Sequence, residues 1–223
     1  MLIKEFDLDA PKETKELRHR FRMETRCVTA LYQRLFVAPQ GTGKIWKLLI
    51  EGVPEVRKPA VRDLLGALTV EYVFDVASFF KLLPAEKKAA ALDLLEGGIE
   101  RICQYAEWDA APFRAASRAV RRCGFENEWT WRKPHRKPGS SIRAEVFCQH
   151  DIDAFRIYFR ISTGQSKERM LIPITSVLPT EFVFVEYLGK AGWDRDRFKL
   201  VARNGKLVGE IAINDDGSCR RIL

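Results

Sequence analysis

The sequence of 223 residues contains no run of about 18 apolar residues, which is the length that a helix needs to cross a lipid bilayer. Glu5 and Asp7 stand at the very start of the chain, where a secretory signal carries basic and then apolar residues. We therefore expect neither a transmembrane helix nor a secretory signal.

Cysteines are few and scattered. Their number is odd and no Cys-x-x-Cys pair occurs, which argues against a disulfide framework and against a zinc knuckle. The five are Cys27, Cys103, Cys123, Cys148 and Cys219. We expect reduced and mostly buried thiols, as in a cytoplasmic protein, and no bound metal.

Histidines and the motifs of familiar enzymes are also scarce. The sequence has three histidines, at His19, His135 and His150, and neither a Gly-x-Ser-x-Gly nor a His-Glu-x-x-His motif. No carboxylate or lysine stands out as an acid–base group. The sequence therefore predicts a protein that is not an enzyme, with no catalytic residue and no cofactor.

The segment Gly41–Lys44 invites comparison with a phosphate-binding loop. The full pattern needs a glycine where Ala38 stands and a Ser or Thr where Ile45 stands. The residues that follow are typical of a strand, whereas a phosphate loop opens a helix whose N-terminus holds the anion. We interpret the segment as a hairpin turn.

The segment Cys148–Asp153 places a thiol, an imidazole and two carboxylates close together. Alternation along a strand would put Cys148 and His150 on one face and Asp151 on the other, whereas a metal needs converging ligands. We interpret the segment as a polar connection whose Asp side chains cap backbone N–H groups. A metal site at His150, Asp151 and Asp153 is the alternative.

The N-terminal part of the chain reads mainly as strands. Arg34–Val37 and Lys44–Ile50 flank a glycine-bearing loop and predict a hairpin, and Leu68–Phe74 is rich in β-branched and aromatic residues. The segment Leu17–Val37 fits either a strand or a helix. Its alternating apolar residues are typical of a half-buried strand, whereas Pro11–Thr14 can open a helix.

A helical block follows. Pro84 is tolerated in a first helical turn, and apolar residues then recur at helical spacing at Leu92, Leu95, Ile99, Ile102, Cys103 and Ala106. Gly97 and Gly98 predict either a kink or a close approach of another backbone. Asp109 is a good cap for a second helix from about Ala110 to Cys123, which Gly124 ends.

Beyond residue 126 the apolar pattern changes to a period of two. Phe155–Ile161 alternates as a strand with one buried face, and the run Phe182–Leu188, apolar on both faces, predicts a central strand. Further strands are predicted at Met170–Val177, Phe198–Arg203 and Lys206–Ile213, the last two joined by a tight turn at Asn204-Gly205.

These elements predict an α+β fold, with an antiparallel sheet or sheets and a two- or three-helix insertion. We expect a single domain over residues 1–223. Its N-terminal strands lie at about 1–76, its helical block at about 77–124 and its C-terminal antiparallel β region at about 126–213.

The net charge of +8 is concentrated between Arg114 and Arg143, a segment that contains nine basic and two acidic residues. Arginines at helical spacing on the second helix are followed by two tryptophans and a Pro-rich basic loop. This pattern fits a solvated face, a protein partner with an acidic surface, or nucleic acid bound by phosphate contacts and stacking. The candidate partner-binding residues are Arg118, Arg122, Trp131, Arg132 and Arg136.

Two stretches, Val146–Phe155 and Phe182–Trp193, together with Glu86-Lys87-Lys88 and Trp108-Asp109, resemble uncharacterised bacterial cytoplasmic proteins of the kind encoded beside polymorphic toxins. The resemblance covers about residues 70–213, and its motifs are not diagnostic of an activity. It implies an immunity protein, a single α+β domain without catalytic residues that occludes the active site of a cognate toxin. A nucleic-acid-binding protein that uses residues 114–143 is the alternative, and no membrane contact is expected.

Overall fold

The computed structural model describes residues 3–37, 43–163, 169–214 and 218–222. Their contacts divide the chain into two compact units, Met1–Asn127 (unit 1) and Glu128–Leu223 (unit 2). Helices and antiparallel sheets together confirm the predicted α+β class. The single domain over residues 1–223 stays a prediction.

Unit 1 combines a sheet with a group of helices. Its described elements are β1 Glu5–Asp9, α1 Lys15–Leu35, β2 Lys47–Val53, β3 Arg62–Leu64, β4 Ala67–Val73, α2 Val76–Phe79, α3 Pro84–Ala106 and α4 Ala111–Arg122. The strand order is β1-β2-β4-β3. β1 and β4 both pair parallel to β2, and the short β3 adds antiparallel to β4.

Helix α1 occupies the segment for which the sequence left helix and strand open. Thr14 begins it, since its hydroxyl accepts the Leu17 N–H at 3.4 Å. Phe21, Val28 and Tyr32 then follow at helical spacing and are buried, which makes one apolar stripe. The N-terminal region at about 1–76 therefore contains a long helix besides the predicted strands.

The hairpin predicted across Arg34–Ile50 is wrong. Arg34 and Leu35 belong to the last turn of α1, and β2 pairs parallel with β1 and β4. Parallel neighbours need a crossover, and α1 is that crossover between β1 and β2. The predicted loop at Pro39–Thr42 lies outside the described residues, whereas the predicted strand at Leu68–Phe74 is confirmed as β4.

The glycine pair of α3 marks where this helix crosses the sheet. A Cβ on Gly98 would lie 2.3 Å from Ile50 Cγ1 in β2, and a Cβ on Gly97 would lie 2.3 Å from the Tyr72 ring in β4. The predicted close approach is therefore made by side chains and not, as predicted, by another backbone. The predicted apolar stripe is buried from Leu92 to Cys103.

The opposite face of the unit 1 sheet is charged. Asp9, Glu51 and Glu71 stand in register across β1, β2 and β4, on the face away from α3. Arg18 Nε donates to Asp9 at 2.8 Å, and Arg62 forms an ion pair with Glu51. Paired in this way, the carboxylates tolerate partial burial.

Unit 2 consists of two four-stranded antiparallel sheets, ordered β5-β6-β7-β8 and β9-β10-β11-β12. Its described elements are β5 Glu128–Arg136, β6 Arg143–His150, β7 Phe155–Ser162, β8 Arg169–Val177, α5 Glu181–Tyr187, β9 Lys190–Asp194, β10 Arg197–Val201, β11 Leu207–Ile213 and β12 Cys219–Arg221. Neighbours in sequence are neighbours in each sheet.

The two sheets of unit 2 share one apolar core. Phe155 and Phe159 from β7 and Phe198 from β10 are fully buried in it, and Phe184 stacks on Phe155 with ring centroids 3.8 Å apart. The predicted strands at 155–161 and 170–177 are confirmed as β7 and β8. The hairpin around Asn204 is confirmed as well, with positive φ at the following glycine.

The central strand predicted at Phe182–Leu188 is wrong. These residues form helix α5, which covers the core through Phe184. A short apolar run has no periodicity that separates a strand from a buried helix, and Phe182 is in fact 90% exposed. None of the helices in the described residues is both long enough and apolar enough to cross a membrane.

Candidate functional site

Helix α4 carries four arginines, and two of them are ion-paired with α3. Arg114 donates twice to Glu100, at 2.6 and 2.8 Å, and Arg121 donates to both oxygens of Glu96 at 2.6 Å and to Asp93 at 2.7 Å. The hydrogen bond from Arg114 lowers the pKa of Glu100 below its ordinary value. These two arginines hold α4 against α3 and offer little free charge.

The other two arginines of α4 face solvent. Arg118 and Arg122 are exposed and make no ion pair with any described residue. They stand four positions apart, so their side chains leave the helix on the same face, about 5–6 Å apart at Cβ. The buried residues Phe113, Ala116 and Val120 anchor the opposite face. Two guanidinium groups are thus presented on a packed helix.

The predicted residues in unit 2 lie on the edge strand β5. The register with β6 breaks after Trp131, and residues 132–134 bulge opposite a single residue of β6. Arg132 adopts a positive φ of 60°, and its guanidinium lies 4.4 Å from the centroid of the Trp131 ring. Trp131 itself is partly buried against the unit 2 core. A stacked Arg–Trp pair therefore marks this edge.

Arg136 belongs to the same strand. Its Nε donates to the Ser140 carbonyl oxygen at 2.7 Å and closes the turn between β5 and β6. Lys137 is buried, and its Nζ donates to the Ile213 carbonyl oxygen at 2.9 Å. The segment 132–139, which was read as a loop, is therefore strand as far as Arg136, and the side chains of Arg136 and Lys137 are bonded to backbone carbonyl oxygens.

The five candidate residues thus divide between the units. The structure places Arg118 together with Arg122 on α4 of unit 1, and Trp131 together with Arg132 on β5 of unit 2. Arg136 is used in its own turn. Of the five candidate residues, Arg118 and Arg122 combine exposure, free charge and the support of a packed helix.

The polar segment at Cys148–Asp153 does not form a cluster. His150 is buried and makes edge contacts with the stacked rings of Phe155 and Phe184, and its Nε2 donates to the Pro179 carbonyl oxygen at 3.1 Å. Asp151 accepts the Ile152 N–H, as predicted for a capping aspartate. Among the residues that the structure describes, no three His, Cys, Asp or Glu side chains are grouped to hold a metal.

Two of the buried cysteines are held in the neutral thiol form. Burial raises the pKa of Cys148 to about 12 and that of Cys103 to about 11. The thiolate is the nucleophilic form of cysteine, and these shifts suppress it at neutral pH. Neither residue has the depressed pKa that an attacking thiol needs.

The described part of the segment Gly41–Lys44 does not have the structure of a phosphate-binding loop either. Lys44 is followed within three residues by strand β2, so no helix N-terminus stands behind it to hold a phosphate. The remainder of that segment, at Gly41 and Thr42, lies outside the described residues.

A cleft of about 300 Å³ between α1, α3 and α4 was not predicted from the sequence. Its walls include the buried Tyr32, whose hydroxyl donates to the Phe113 carbonyl oxygen at 2.9 Å, and the buried Ser117. The cleft also contains Glu96, which is ion-paired with Arg121, and Arg114, which is ion-paired with Glu100. No sequence signal identifies it, because its walls come from three helices separated along the chain.

Comparisons with known proteins complete the description of these sites. No protein-family model, no curated protein sequence and no solved structure matches this chain.

Proposed function

We propose that this chain is a non-enzymatic protein-binding module, of the immunity type that occludes the active site of a cognate bacterial toxin. The observation that carries the binding role is the free guanidinium pair of α4, Arg118 and Arg122. The toxin as the partner rests on the sequence resemblance over residues 70–213. The raised pKa values of Cys103 and Cys148 argue against these two thiols as catalytic nucleophiles.

The α4 pair fits an acidic protein surface for three physical reasons. Arginine donates to carboxylates through a planar fork of N–H groups and is enriched in protein interfaces. The helix backbone holds both forks in place, so little backbone entropy is lost on binding. Unpaired positive charge also accelerates the encounter with an acidic partner. The ion-paired Arg114 and Arg121 flank the pair and keep α4 docked on α3.

Binding of the full chain to the product of the neighbouring gene tests this proposal. Arg118→Glu combined with Arg122→Glu is expected to weaken binding at least about tenfold, mainly through slower association at low salt. The matched control is Lys15→Glu combined with Lys81→Glu, two exposed lysines of unit 1 with the same change in charge. Calorimetry gives the affinity, and stopped-flow fluorescence gives the association rate.

Equal affinity of the Arg118/Arg122 variant and the unchanged chain would contradict the role of α4. An equal loss in the lysine control would show that net charge, rather than this pair, determines binding. A complex that leaves the partner's activity intact would contradict the inhibitory role.

Nucleic acid, bound without regard to its sequence, is the alternative partner of Arg118 and Arg122. Phosphate contacts release counterions, so such binding falls steeply with salt, by nearly one unit of log–log slope for each contact. Retention of the unchanged chain on a polyanion column at about 0.1 M salt, lost in the Arg118/Arg122 variant, would favour nucleic acid over a protein partner.

A further inference from the structure

One end of the sheet β5-β6-β7-β8 carries three arginines in register, which we call the arginine row. Arg136 of β5 stands directly opposite Arg143 of β6. Arg143 in turn stands opposite Ser162 of β7, which stands opposite Arg169 of β8. Residues opposite each other in a sheet share a face, and neighbouring strands lie about 4.8 Å apart. The arginine row therefore crosses the whole sheet over about 14 Å.

The arginine row lies on the outer face of this sheet, which is the face away from the unit 2 core. Ala144 and Ile161, one position along from the row on β6 and β7, are buried in that core, so the row projects to the other side. All three arginines are exposed, and none forms an ion pair with a residue that the structure describes. Arg136 bonds to the Ser140 carbonyl oxygen through Nε, which leaves its terminal nitrogens for a ligand.

The register of the arginine row is unfavourable unless an anion compensates it. Like charges directly opposite on neighbouring strands are destabilising, and Arg136 and Arg143 have this arrangement. The next row on the same face is compensated within the chain, because Arg160 of β7 stands opposite Glu145 of β6 and is ion-paired with it. The arginine row has no such carboxylate among the described residues and therefore favours a multiply charged anion.

The dimensions of the arginine row fit a chain of phosphates better than a single phosphate. Arginine donates to phosphate oxygens through two parallel N–H groups, at about 2.7–2.9 Å. The backbone positions of Arg143 and Arg169 are two strands apart, or about 10 Å. The two side chains are therefore placed to contact different phosphates of one flexible chain that lies across the strands.

The same face offers an aromatic ring beyond the arginine row. Tyr158 of β7 precedes Ser162 by four positions, so it lies on the same face, and it is partly exposed. Across the sheet it stands opposite Phe147 on one side and the exposed Pro173 on the other. An open four-stranded sheet with aromatic residues is a surface on which proteins stack unpaired bases, whereas duplex bases are already stacked on one another.

We infer that the outer face of the sheet β5-β6-β7-β8 binds single-stranded nucleic acid, with phosphates on the arginine row and a base stacked on Tyr158. The inference concerns unit 2 and does not depend on the α4 pair or on the identity of a protein partner. Its failure would leave the proposed function intact, and failure of the proposed function would leave the inference intact.

Binding of a fluorescently labelled thymidine oligonucleotide of about 15 nucleotides to the full chain tests the inference. Fluorescence anisotropy gives the dissociation constant over a series of salt concentrations. We expect a dissociation constant of about 1–100 µM at about 0.1 M salt, the range of binding without sequence preference. Three phosphate contacts on a single strand predict a log–log salt slope of about −2.

Arg143→Glu combined with Arg169→Glu is expected to weaken binding at least about tenfold and to change the salt slope to about −0.7. Arg143→Gln combined with Arg169→Gln is expected to weaken it about fivefold, and replaces the first variant if circular dichroism shows that the first unfolds. The matched control is Lys190→Glu combined with Lys206→Glu, two exposed lysines outside this sheet with the same change in charge. The control should keep the affinity within about threefold, since distant charges are screened.

Tyr158→Leu tests the stacked base. It removes the aromatic ring, keeps an apolar side chain in the strand and is expected to weaken binding at least about fivefold without changing the salt slope. A DNA duplex that contains the same thymidine strand is expected to bind more weakly than the single strand, because its bases are not free to stack on Tyr158. Tighter binding of the duplex would contradict a single-stranded ligand.

Four further results would overturn the inference. The first is no binding at protein concentrations up to about 100 µM. The second is an unchanged affinity in the Arg143/Arg169 variants, or an equal loss in the lysine control. The third is a loss of binding in the Arg118/Arg122 variant instead, which would place the nucleic acid on α4. The fourth is an unchanged affinity in Tyr158→Leu, which would show that the face binds phosphate chains without contacting a base.

Discussion

The two units of this chain build their sheets by different routes. In unit 1, β1, β2 and β4 run parallel, so the chain must leave the sheet through α1 before it can pair β2 with β1. In unit 2, every pair is antiparallel and joins consecutive strands. Antiparallel neighbours need only a turn, whereas parallel neighbours need a crossover.

This difference also determines what each sheet buries. The sheet of unit 1 packs one face against α3, and on its other face Asp9 and Glu51 are paired with arginines. The two sheets of unit 2 bury their inner faces against each other, with aromatic rings in between. Stability therefore depends on a helix–sheet contact and ion pairs in unit 1, and on an aromatic core in unit 2.

Of the predictions that test this comparison, a substitution in the aromatic core of unit 2 is expected to have the largest effect on stability. Phe155→Ala removes a fully buried ring that stacks on Phe184, and is expected to lower the free energy of unfolding by about 3–5 kcal/mol. Hydrogen exchange should accelerate in β6 and β7. Phe182→Ala, at an exposed ring of the same unit, is the control and should change stability by less than about 0.5 kcal/mol. Similar losses in both variants would contradict the aromatic core.

The contact between α3 and β2 is the corresponding test in unit 1. Gly98→Ala places a methyl group 2.3 Å from Ile50 Cγ1 and 3.0 Å from its Cβ, so the helix must shift. We expect a net loss of about 1–2 kcal/mol, since overpacking outweighs the gain in helix propensity. Gly97→Ala meets the end of the Tyr72 side chain, which can rotate away, and should cost less. Denaturant unfolding of both variants checks that Gly98→Ala lowers the free energy of unfolding more than Gly97→Ala does. A larger loss in Gly97→Ala would place the less tolerant contact at Tyr72.

A substitution on the charged face of the unit 1 sheet is expected to have the smallest effect on the free energy of unfolding, and this effect should depend on pH. Hydrogen bonds from the Lys58 and Arg57 N–H groups, each 2.8 Å from Glu71, lower the pKa of this carboxyl below its ordinary value, against the effect of burial. Glu71→Gln is expected to cost about 1 kcal/mol at neutral pH. Glu55→Gln, at an exposed glutamate, is the control.

The sign of the pH effect follows from the lowered pKa. The stabilisation by Glu71 is complete above the ordinary carboxyl range and is lost as the pH falls through the lowered folded-state pKa. The difference between the unchanged chain and Glu71→Gln should therefore shrink below about pH 5, as followed by denaturant unfolding. A difference that is constant down to pH 3, or one that grows, would contradict a charge-dependent role.

The same contrast explains which parts of the fold could be predicted. In unit 2 the alternation at Phe155–Ile161 was sufficient to predict β7, and the Asn204-Gly205 turn was sufficient to predict the hairpin of β10 and β11. Local signals suffice there because strands that pair are adjacent in sequence. In unit 1 local pattern suggested a hairpin before residue 50, whereas the real partners of β2 lie across a helix on one side and across β3 on the other. The short run Phe182–Leu188 failed for another reason, since it has no periodicity.

The candidate site shows a similar limit. Helical spacing predicted that Arg114, Arg118 and Arg122 share a face, but not that Glu100 lies within 2.6 Å of Arg114 while Arg118 and Arg122 meet no described carboxylate. The bulge that supports Arg132 on Trp131 also depends on strand register, which residues far apart in the sequence determine together.

The sequence by itself determined the α+β class, the helices α3 and α4, the C-terminal hairpin at Asn204-Gly205 and the concentration of positive charge at residues 114–143. These features follow from short-range periodicity, turn propensity and composition. Only the tertiary structure decided which of those charges are neutralised, which strands stand at the edges of the sheets and which glycines lie in close contact with a neighbouring strand. Ion pairs, edges and close contacts are set by distances between segments, and distances between segments exist only in the folded chain.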